Sequence, residues 1–224
     1  TNKVLDRELG WLPGLEADLS HTFTSGWSVN VFSAYYQGTV DYTGQTQSGT
    51  PLTTDTGTKF FRLGGRVKKD VYKKIHLYVG AQQHRWDRDI KDTSNASGID
   101  ETYKWLEYSI GLNSDIFINK NNLINVDIAY LLTRDATIDV DLSRINLGST
   151  TLDIGDGAGG RINLGWKTTY TENTRLGLTF FFEAWNFGRS NTKQTQGGTS
   201  PVFVTEPRSE TRNTGLRFDF EYMF

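Results

Sequence analysis

The chain has 224 residues and carries 24 Lys and Arg against 26 Asp and Glu, a formal net charge of −2. This balance offers no clustered positive charge, so nucleic acid is excluded as a partner. The absence of cysteine excludes disulfides and thiolate sites. No apolar run reaches the roughly 20 residues that a membrane helix needs, which excludes a helical membrane protein.

The length favours a single domain over residues 1–224, because all-β barrels of this size often form one unit. The sequence shows no signal peptide, so we expect a mature or trimmed chain. The 23 glycines and the 13% of aromatic residues indicate strands and turns.

Apolar and polar residues alternate with a period of two along most of the chain, the pattern of half-buried strands. A first strand is placed at residues 3–9. In chain order, the pattern then predicts strands over residues 15–23, 27–42, 60–69, 75–86, 103–118, 122–133, 159–170 and 174–185, followed by a C-terminal strand. In that last strand Leu216, Phe218 and Phe220 share one face, whereas Arg217 and Asp219 share the other.

The connections between these strands alternate in length. The short ones cover residues 24–26, 69–74, 119–122 and 171–173. The long ones, rich in Gly, Ser, Thr, Asn and Asp, cover residues 43–59, 87–102, 134–158 and 188–210, and residues 139–153 are predicted to form an extra hairpin. This alternation predicts a single antiparallel up-and-down β-barrel of about ten strands, with eight strands as an alternative.

The two faces of the predicted strands differ in chemistry. The polar face carries glycines and ionisable residues, and we expect these ionisable residues to form a charge network in the lumen: Glu16, Asp18, Arg62, Arg66, Lys68, Glu107, Asp127, Arg161, Lys167, Arg175, Glu183, Arg217, Asp219 and Glu221. Glycine in a narrow barrel makes room for long neighbours. The apolar face carries aromatic residues near strand ends, such as Tyr35, Phe61 and Trp166. This arrangement predicts a transmembrane barrel, with a soluble sandwich or lipocalin-like barrel as the alternative.

The chain ends in FDFEYMF, with aromatic residues at alternate positions and phenylalanine last. Phe218, Phe220, Tyr222 and Phe224 resemble the C-terminal sorting signature of Gram-negative outer-membrane β-barrel proteins. The resemblance implies a multi-pass barrel in the outer membrane that is read by the barrel-assembly machinery and contacts outer-membrane lipid and lipopolysaccharide. It also implies periplasmic short turns and extracellular long loops.

The predicted lumen charges comprise seven bases and seven acids. Such a balance favours mutual pairing, and the bore of a barrel of eight to ten strands is filled by side chains. We therefore expect a mostly plugged lumen, with a narrow water or ion path as the alternative. The expected role is surface binding, envelope structure or limited, porin-like passage of small solutes. The sequence does not identify a surface or periplasmic protein partner.

The best candidate for catalysis lies where the strand at residues 75–86 ends. His84 is followed by Asp87 and Asp89, residue types that can activate water by general-base action. The size is similar to that of the omptin proteases, whose pattern places an aspartate two residues before the histidine. None of the histidines here has it, since Leu19, Lys74 and Gln82 precede His21, His76 and His84. We favour a non-enzymatic role and keep an outer-rim hydrolase, a protease or a lipid-modifying enzyme, as the alternative.

Neither a cofactor nor a metal is expected. Residues 92–101 and 153–157 supply several oxygen donors, but neither segment has the ligand spacing of a calcium loop. We interpret both segments as ordinary polar loops.

Overall fold

The computed structural model of the protein describes residues 7–45, 50–195 and 202–223. This part of the chain is all-β. Its strands are β1 (Arg7–Gly10), β2 (Gly14–Thr22), β3 (Trp27–Gln45), β4 (Pro51–Tyr72), β5 (Ile75–Ile90), β6 (Ile99–Phe117), β7 (Asn122–Asp141), β8 (Ser149–Asp153), β9 (Gly157–Thr171), β10 (Thr174–Phe187), β11 (Lys193–Gln194), β12 (Phe203–Val204) and β13 (Ser209–Tyr222). A 3₁₀ turn spans Ser143–Ile145, and no described helix is long and apolar enough to cross a membrane.

Eleven of the described strands form one curled antiparallel sheet, and β11 pairs with β12 separately. The order around the sheet is β1-β3-β4-β5-β6-β7-β9-β10-β13, with β2 beside β3 and β8 beside β7. Each long strand pairs with the next long strand in the sequence, so the predicted up-and-down arrangement is confirmed. The predicted number of ten strands, or eight, is wrong. Thirteen are described, because one strand is split into β1 and β2 and three short strands lie within predicted loops.

The N-terminal edge of the sheet differs from the prediction. Residues 3–9 are predicted as a separate strand, but their described part, β1, pairs with β3 in the same register as β2 does. Gly10 lies opposite Val40 and Gly14 lies opposite Tyr36, so the break between β1 and β2 adds no position to the ladder. β1 and β2 therefore occupy one place in the sheet, and the described residues contain no separate strand before them.

Much of the predicted long loops is strand. β3 and β4 continue beyond their predicted ends and stay paired out to Gln45 and Pro51. β7 extends to Asp141, where β8 pairs back onto it, which confirms the extra hairpin predicted at residues 139–153. The sequence pattern concealed these extensions because they contain Gly and Asp, residues that are depleted in strands and common in turns.

The connections give the sheet two distinct ends. Short turns join β2 to β3, β4 to β5, β6 to β7 and β9 to β10 at the short-turn end. The strand ends joined by the longer connections, from β3 to β4, β5 to β6, β7 to β9 and β10 to β13, lie at the opposite, long-loop end. The short turns fall where the sequence pattern predicts them.

The sheet has an inner and an outer face. On the inner face, side chains from strands that are not neighbours meet, as Arg62 on β4 and Glu183 on β10 do. In the half near the short-turn end, the outer face carries an apolar band of exposed side chains. The band comprises Val29, Val31, Tyr35, Phe61, Leu63, Val67, Val71, Leu77, Val79, Leu106, Tyr108, Ile110, Leu112, Ile116, Ile128, Tyr130, Ile162, Leu164, Trp166, Leu176, Leu178, Phe180, Leu216, Phe218 and Phe220. The stretch from Phe61 to Val71 on β4 gives the band a height of roughly 25 Å, at about 3.3 Å per residue and a strand tilt of about 40°.

In the half near the long-loop end, the polarity of the two faces is reversed. The outward side chains are polar, as at Lys59, Asp87 and Asp139. The inward side chains form the hydrophobic core of the sheet: Phe60, Tyr103, Trp105, Ala136, Ile138, Val140, Leu142, Leu152, Ile154, Trp185 and Phe187. The long strands at the centre of the sheet thus change from apolar outside to apolar inside at about the level of Tyr35 and Phe61.

A β-bulge in β7 preserves this core. The β6–β7 register shifts between Lys104 and Leu106, which inserts one residue into β7. Asp135, within the bulge, has a left-handed φ of 52°. The insertion changes which residues face inward, so Leu131 is buried before the bulge and Ile138 after it.

Candidate functional site

The inner face of the short-turn half carries the charges expected in the lumen, and most of them form ion pairs. The pairs are Arg62–Glu16 at 2.5 Å, Arg62–Glu183 at 3.4 Å, Arg161–Glu183 at 3.5 Å, Arg161–Asp127 at 3.8 Å, Lys167–Glu221 at 3.0 Å, Arg175–Glu221 at 3.8 Å, Arg217–Glu16 at 2.6 Å and Arg217–Asp219 at 2.6 Å. Five of the seven expected bases therefore have a carboxylate partner. We call all the charged side chains expected in the lumen, paired or not, the polar network.

Glu183 lies at the centre of the polar network. Its Oε2 atom is shared by Arg62 and Arg161, which reach it from β4 and β9. Arg161 also contacts the hydroxyl of Tyr78, and that hydroxyl donates to Asp127 at 3.1 Å. Enclosed charges are tolerated when each has a partner, so these contacts fix the side chains in place across the interior.

Two of the expected bases, Arg66 and Lys68, form no ion pair among the described residues. Both lie on the inner face of β4. The guanidinium of Arg66 instead lies over the rings of Phe32, at 4.7 Å, and Tyr78, at 5.4 Å. The acid Asp18 is held by Asn30, which donates to it at 2.6 Å.

His84 lies where the polar network ends, away from the two carboxylates expected to act with it. Side chains alternate along a strand, so His84 faces inward whereas Asp87 and Asp89 face outward. Arg85 donates to Asp87 at 3.0 Å, and Arg144 donates to Asp89 at 3.0 Å. The structure does not bring the three candidate catalytic residues together.

The imidazole of His84 is fully buried. It stacks on Trp105 with ring centroids 4.4 Å apart, and it meets the ring of Phe60 at 5.4 Å. Its Nε2 lies 3.6 Å from Glu107, which accepts a hydrogen bond from Gln82. Neither ring nitrogen of His84 has a hydrogen-bond partner among the described residues. A histidine enclosed in this way has no access to a substrate.

Aromatic side chains fill the interior directly beyond the polar network, and we call Phe60, Trp105, Trp185 and Phe187 the aromatic layer. The ring of Trp105 lies 5.9 Å from Phe60, 6.0 Å from Trp185 and 5.1 Å from Phe187, measured between centroids. All four are at most 8% exposed. Because β4 and β10 are not neighbours in the sheet, the layer packs across the interior and separates the polar network from the long-loop end.

Charge patterning alone did not identify the aromatic layer. The sequence does contain a signal for it at the inward positions. Trp105 and Glu107 lie two residues apart and so share the inner face of β6, and Glu183 and Trp185 share the inner face of β10 in the same way. In each strand the aromatic residue is two positions closer to the long-loop end. A change from charged to aromatic residues at inward positions therefore indicates where the interior becomes apolar.

Arg88 is buried beyond the aromatic layer. It donates to Glu101 at 2.6 Å, to the hydroxyl of Tyr103 at 3.1 Å and to Glu8 at 2.8 Å. The Tyr103 hydroxyl donates to Glu206 at 3.1 Å. Burial disfavours the charged guanidinium, but Glu101, Tyr103 and Glu8 outweigh this effect and hold the pKa of Arg88 well above its ordinary value. These contacts join β1, β5 and β6 to the segment that precedes β13.

A pocket of about 350 Å³ beside β8 is lined by Asp135, Asp153 and Asp156, among others. Asp153 accepts a hydrogen bond from Asn191 at 2.7 Å, and Asp156 lies 3.4 Å from Arg134. Within the described residues, no group of three His, Cys, Asp or Glu side chains is arranged to hold a metal. The contacts of Asp153 join the β8 hairpin to the β10–β13 connection.

The residues of the expected sorting signal lie on β13. Phe218, Phe220 and Tyr222 are exposed on its outer face, and Phe224 lies outside the described residues. Neither the protein-family models nor the curated proteins include a match to this chain, so the functional argument depends on the geometry of its own residues.

Proposed function

We propose that this chain is an integral outer-membrane β-barrel protein of a Gram-negative bacterium, with a plugged lumen. The half of the sheet near the long-loop end, which contains the hydrophobic core, then forms a β-structured platform at the cell surface. Its role is surface binding or envelope structure rather than passage of solutes. The observation that carries the proposal is the reversal of polarity along the long strands, from apolar outside to apolar inside.

The apolar band supports insertion in a membrane. Its height of roughly 25 Å is that of the lipid-facing band of outer-membrane barrels. The inner face at the same level carries the polar network, so the apolar band cannot be buried by closing the sheet on itself. Monomeric soluble proteins rarely expose an apolar surface of this extent.

The interior supports a plug. A solute entering from the short-turn end would meet the buried ion pairs of Glu183 and then the aromatic layer. Passage would require separating Trp105 from Trp185 and Phe187, which pack against one another across the interior. This arrangement favours a closed lumen over a narrow water or ion path.

The platform supports a role outside the membrane. β3 continues for ten residues from Tyr35 to Gln45, roughly 30 Å along the strand, and remains paired with β4 throughout. The platform has its own hydrophobic core and polar exterior, as a water-exposed domain does. An outer-rim hydrolase receives less support, because His84 is enclosed beneath Trp105 and apart from Asp87.

The partners proposed for the two regions differ. The apolar band contacts outer-membrane lipid and lipopolysaccharide, and the platform contacts a surface partner or neighbouring envelope components. The barrel-assembly machinery reads the last strand, where Phe218, Phe220 and Tyr222 are exposed on the outer face of β13.

Single-cysteine labelling tests the proposal, because the 224 residues of the sequence contain no cysteine to interfere. Lys59→Cys and Asp139→Cys lie on the platform and should react with a membrane-impermeant maleimide on intact cells. Glu172→Cys, in a short turn, should react only after the outer membrane is permeabilised. Ile110→Cys, in the apolar band, should stay unlabelled in both preparations. Recovery of the protein without detergent, together with labelling of Ile110→Cys, would refute membrane insertion.

A further inference from the structure

The sheet formed by the described residues has two free edges, β2 and β13. Within the described residues, β2 forms a ladder only with β3, and β13 forms one only with β10. Arg217 on β13 nevertheless lies 2.6 Å from Glu16 on β2. The two edges therefore face each other across a gap, which we call the seam.

The two edge strands run in the same direction. With β1 and β2 counted as one, nine described strands follow one another around the sheet with antiparallel pairing. The ninth strand, β13, therefore runs toward the short-turn end, as the first does. Direct pairing across the seam would be parallel, unlike the antiparallel ladders in the rest of the sheet.

Outward side chains at the seam are more exposed than comparable ones elsewhere. Leu15 on β2 and Phe218 on β13 are 83% and 86% exposed, whereas Ile110 and Leu164 in the middle of the sheet are each 50% exposed. Every residue of β2 is exposed, on the inner as well as the outer face. Neighbouring strands on both sides cover Ile110 and Leu164, and each edge at the seam lacks one such neighbour.

The described ion pair across the seam is made by the tips of two long side chains. Arg217 and Arg62 both approach the carboxylate of Glu16, from β13 and β4. Paired strands lie about 4.8 Å apart, so an intervening strand would hold the two edges roughly 10 Å apart. Long side chains that meet at their tips on the inner face can bridge a gap of that width.

We propose that one further strand fills the seam, antiparallel to both β2 and β13, and that this strand precedes β1 in the same polypeptide. The inference rests on the proposed membrane insertion, since lipid offers no partners to the backbone groups of two free edges. Added to the nine strands that follow one another around the described sheet, this strand also gives the even number with which an antiparallel barrel closes without a parallel ladder.

The connectivity favours the same polypeptide as the source of the strand. β1 begins at the long-loop end, so a strand that runs toward that end reaches β1 through a loop, as β3 reaches β4. A second copy inserted in the same orientation presents only edges that run the same way as β2 and β13. Such a copy offers no antiparallel partner.

Surroundings at the seam define the pattern that the strand must have. Its outward residues are apolar at the level of Leu15 and Leu19, to continue the apolar band. Its inward residue at the level of Glu16 and Arg217 is small, because those two side chains meet there across the inner face.

Cysteine pairs in the natural full-length polypeptide, inserted in the outer membrane, test the width of the seam. Ala17→Cys is combined in turn with Leu216→Cys, Phe218→Cys and Phe220→Cys. A disulfide needs Cα atoms within about 7 Å, so oxidation should give no disulfide in any combination. A bifunctional maleimide with a spacer of about 10 Å should link at least one of them.

The matched control is Ser33→Cys with Leu63→Cys, which lie opposite each other on the paired strands β3 and β4 and should form a disulfide directly. A disulfide between β2 and β13 in the inserted protein would overturn the inference, because nothing could then lie between them. That outcome leaves the membrane proposal intact, whereas recovery of the protein without detergent overturns the membrane proposal itself.

A second experiment identifies the occupant. Single cysteines placed along the segment ahead of β1 are tested for cross-linking to Ala17→Cys and, separately, to Phe218→Cys. The inference expects positions that link to each edge within one polypeptide. Cross-linked dimers, or a segment that links to neither edge, would overturn it.

Discussion

His84 on β5 stacks on Trp105 of β6, with ring centroids 4.4 Å apart and ring planes 5° apart. This contact marks the level at which the interior changes from charged to aromatic. On one side of it lies Glu107, within the polar network. On the other side the rings of Trp185 and Phe187 pack on Trp105 and close the interior.

Removing the aromatic layer should open the interior. The double variant Trp105→Ala, Trp185→Ala removes two large rings from the same level, and water can then reach the polar network from the long-loop end. Planar-bilayer recording should show a silent natural protein and a conducting double variant. Trp166→Ala, which removes the same residue type from the outer face, should stay silent. Conductance of the natural protein at the level of the double variant would contradict a plug.

Glu183→Gln should destabilise the protein strongly. The change keeps the size of the side chain but leaves Arg62 and Arg161 without the carboxylate that they share. Breaking a buried ion pair in this way costs about 3–5 kcal/mol. Urea unfolding in detergent micelles measures the loss. The matched control Glu210→Gln affects an exposed pair with Arg212 and should change the free energy of unfolding by less than about 1 kcal/mol.

The long-loop half should loosen at alkaline pH because of Tyr103. Burial, and next the charge of Glu101, hold the pKa of Tyr103 well above its ordinary value of 10.0. Below pH 10 the hydroxyl of Tyr103 is neutral in the folded and the unfolded state, so its contribution to the free energy of unfolding is fully present. Above it the unfolded state loses the proton first, so stability falls as the pH rises.

Unfolding of the natural protein and of Tyr103→Phe at pH 8 and pH 11 tests this expectation. The phenylalanine variant is less stable at pH 8, because Glu206 and Arg88 lose a hydrogen-bond partner. It should lose less stability than the natural protein between the two pH values. Tyr170→Phe, at an exposed position, serves as the control and should keep the full pH dependence. Equal losses in all three proteins would contradict the assignment to Tyr103.

Deleting Asp135 should disrupt the platform. The deletion removes the bulge from β7, which turns Ile138 and Val140 from the core to the outer face. Asp135→Gly keeps the residue count and suits the left-handed backbone at this position, so it should fold normally. Protease resistance of the platform in inserted protein measures the difference. A deletion variant as resistant as the glycine variant would contradict the role of the bulge.

The sequence alone determined the type of fold and the chemistry of its faces in the short-turn half. Alternation over residues such as Leu216 to Glu221 requires one apolar and one polar face, because successive side chains of a strand point in opposite directions. Turn residues located the short turns, and the balance of charges indicated pairing. These are local properties, because each depends on a short segment of the sequence and not on which strands are neighbours in the fold.

Only the tertiary structure decided which residues meet across the interior. Arg62 and Glu183 are 121 positions apart in the sequence, and the curl of the sheet brings them together. The same curl encloses His84 behind the aromatic layer instead of placing it beside Asp87. The separate first strand failed as a prediction for a related reason. Alternation of apolar and polar residues shows that a segment is extended, but it does not show which strand the segment pairs with, because that partner is distant in the sequence. In the structure, β1 pairs with β3 and continues the ladder that β2 forms with β3.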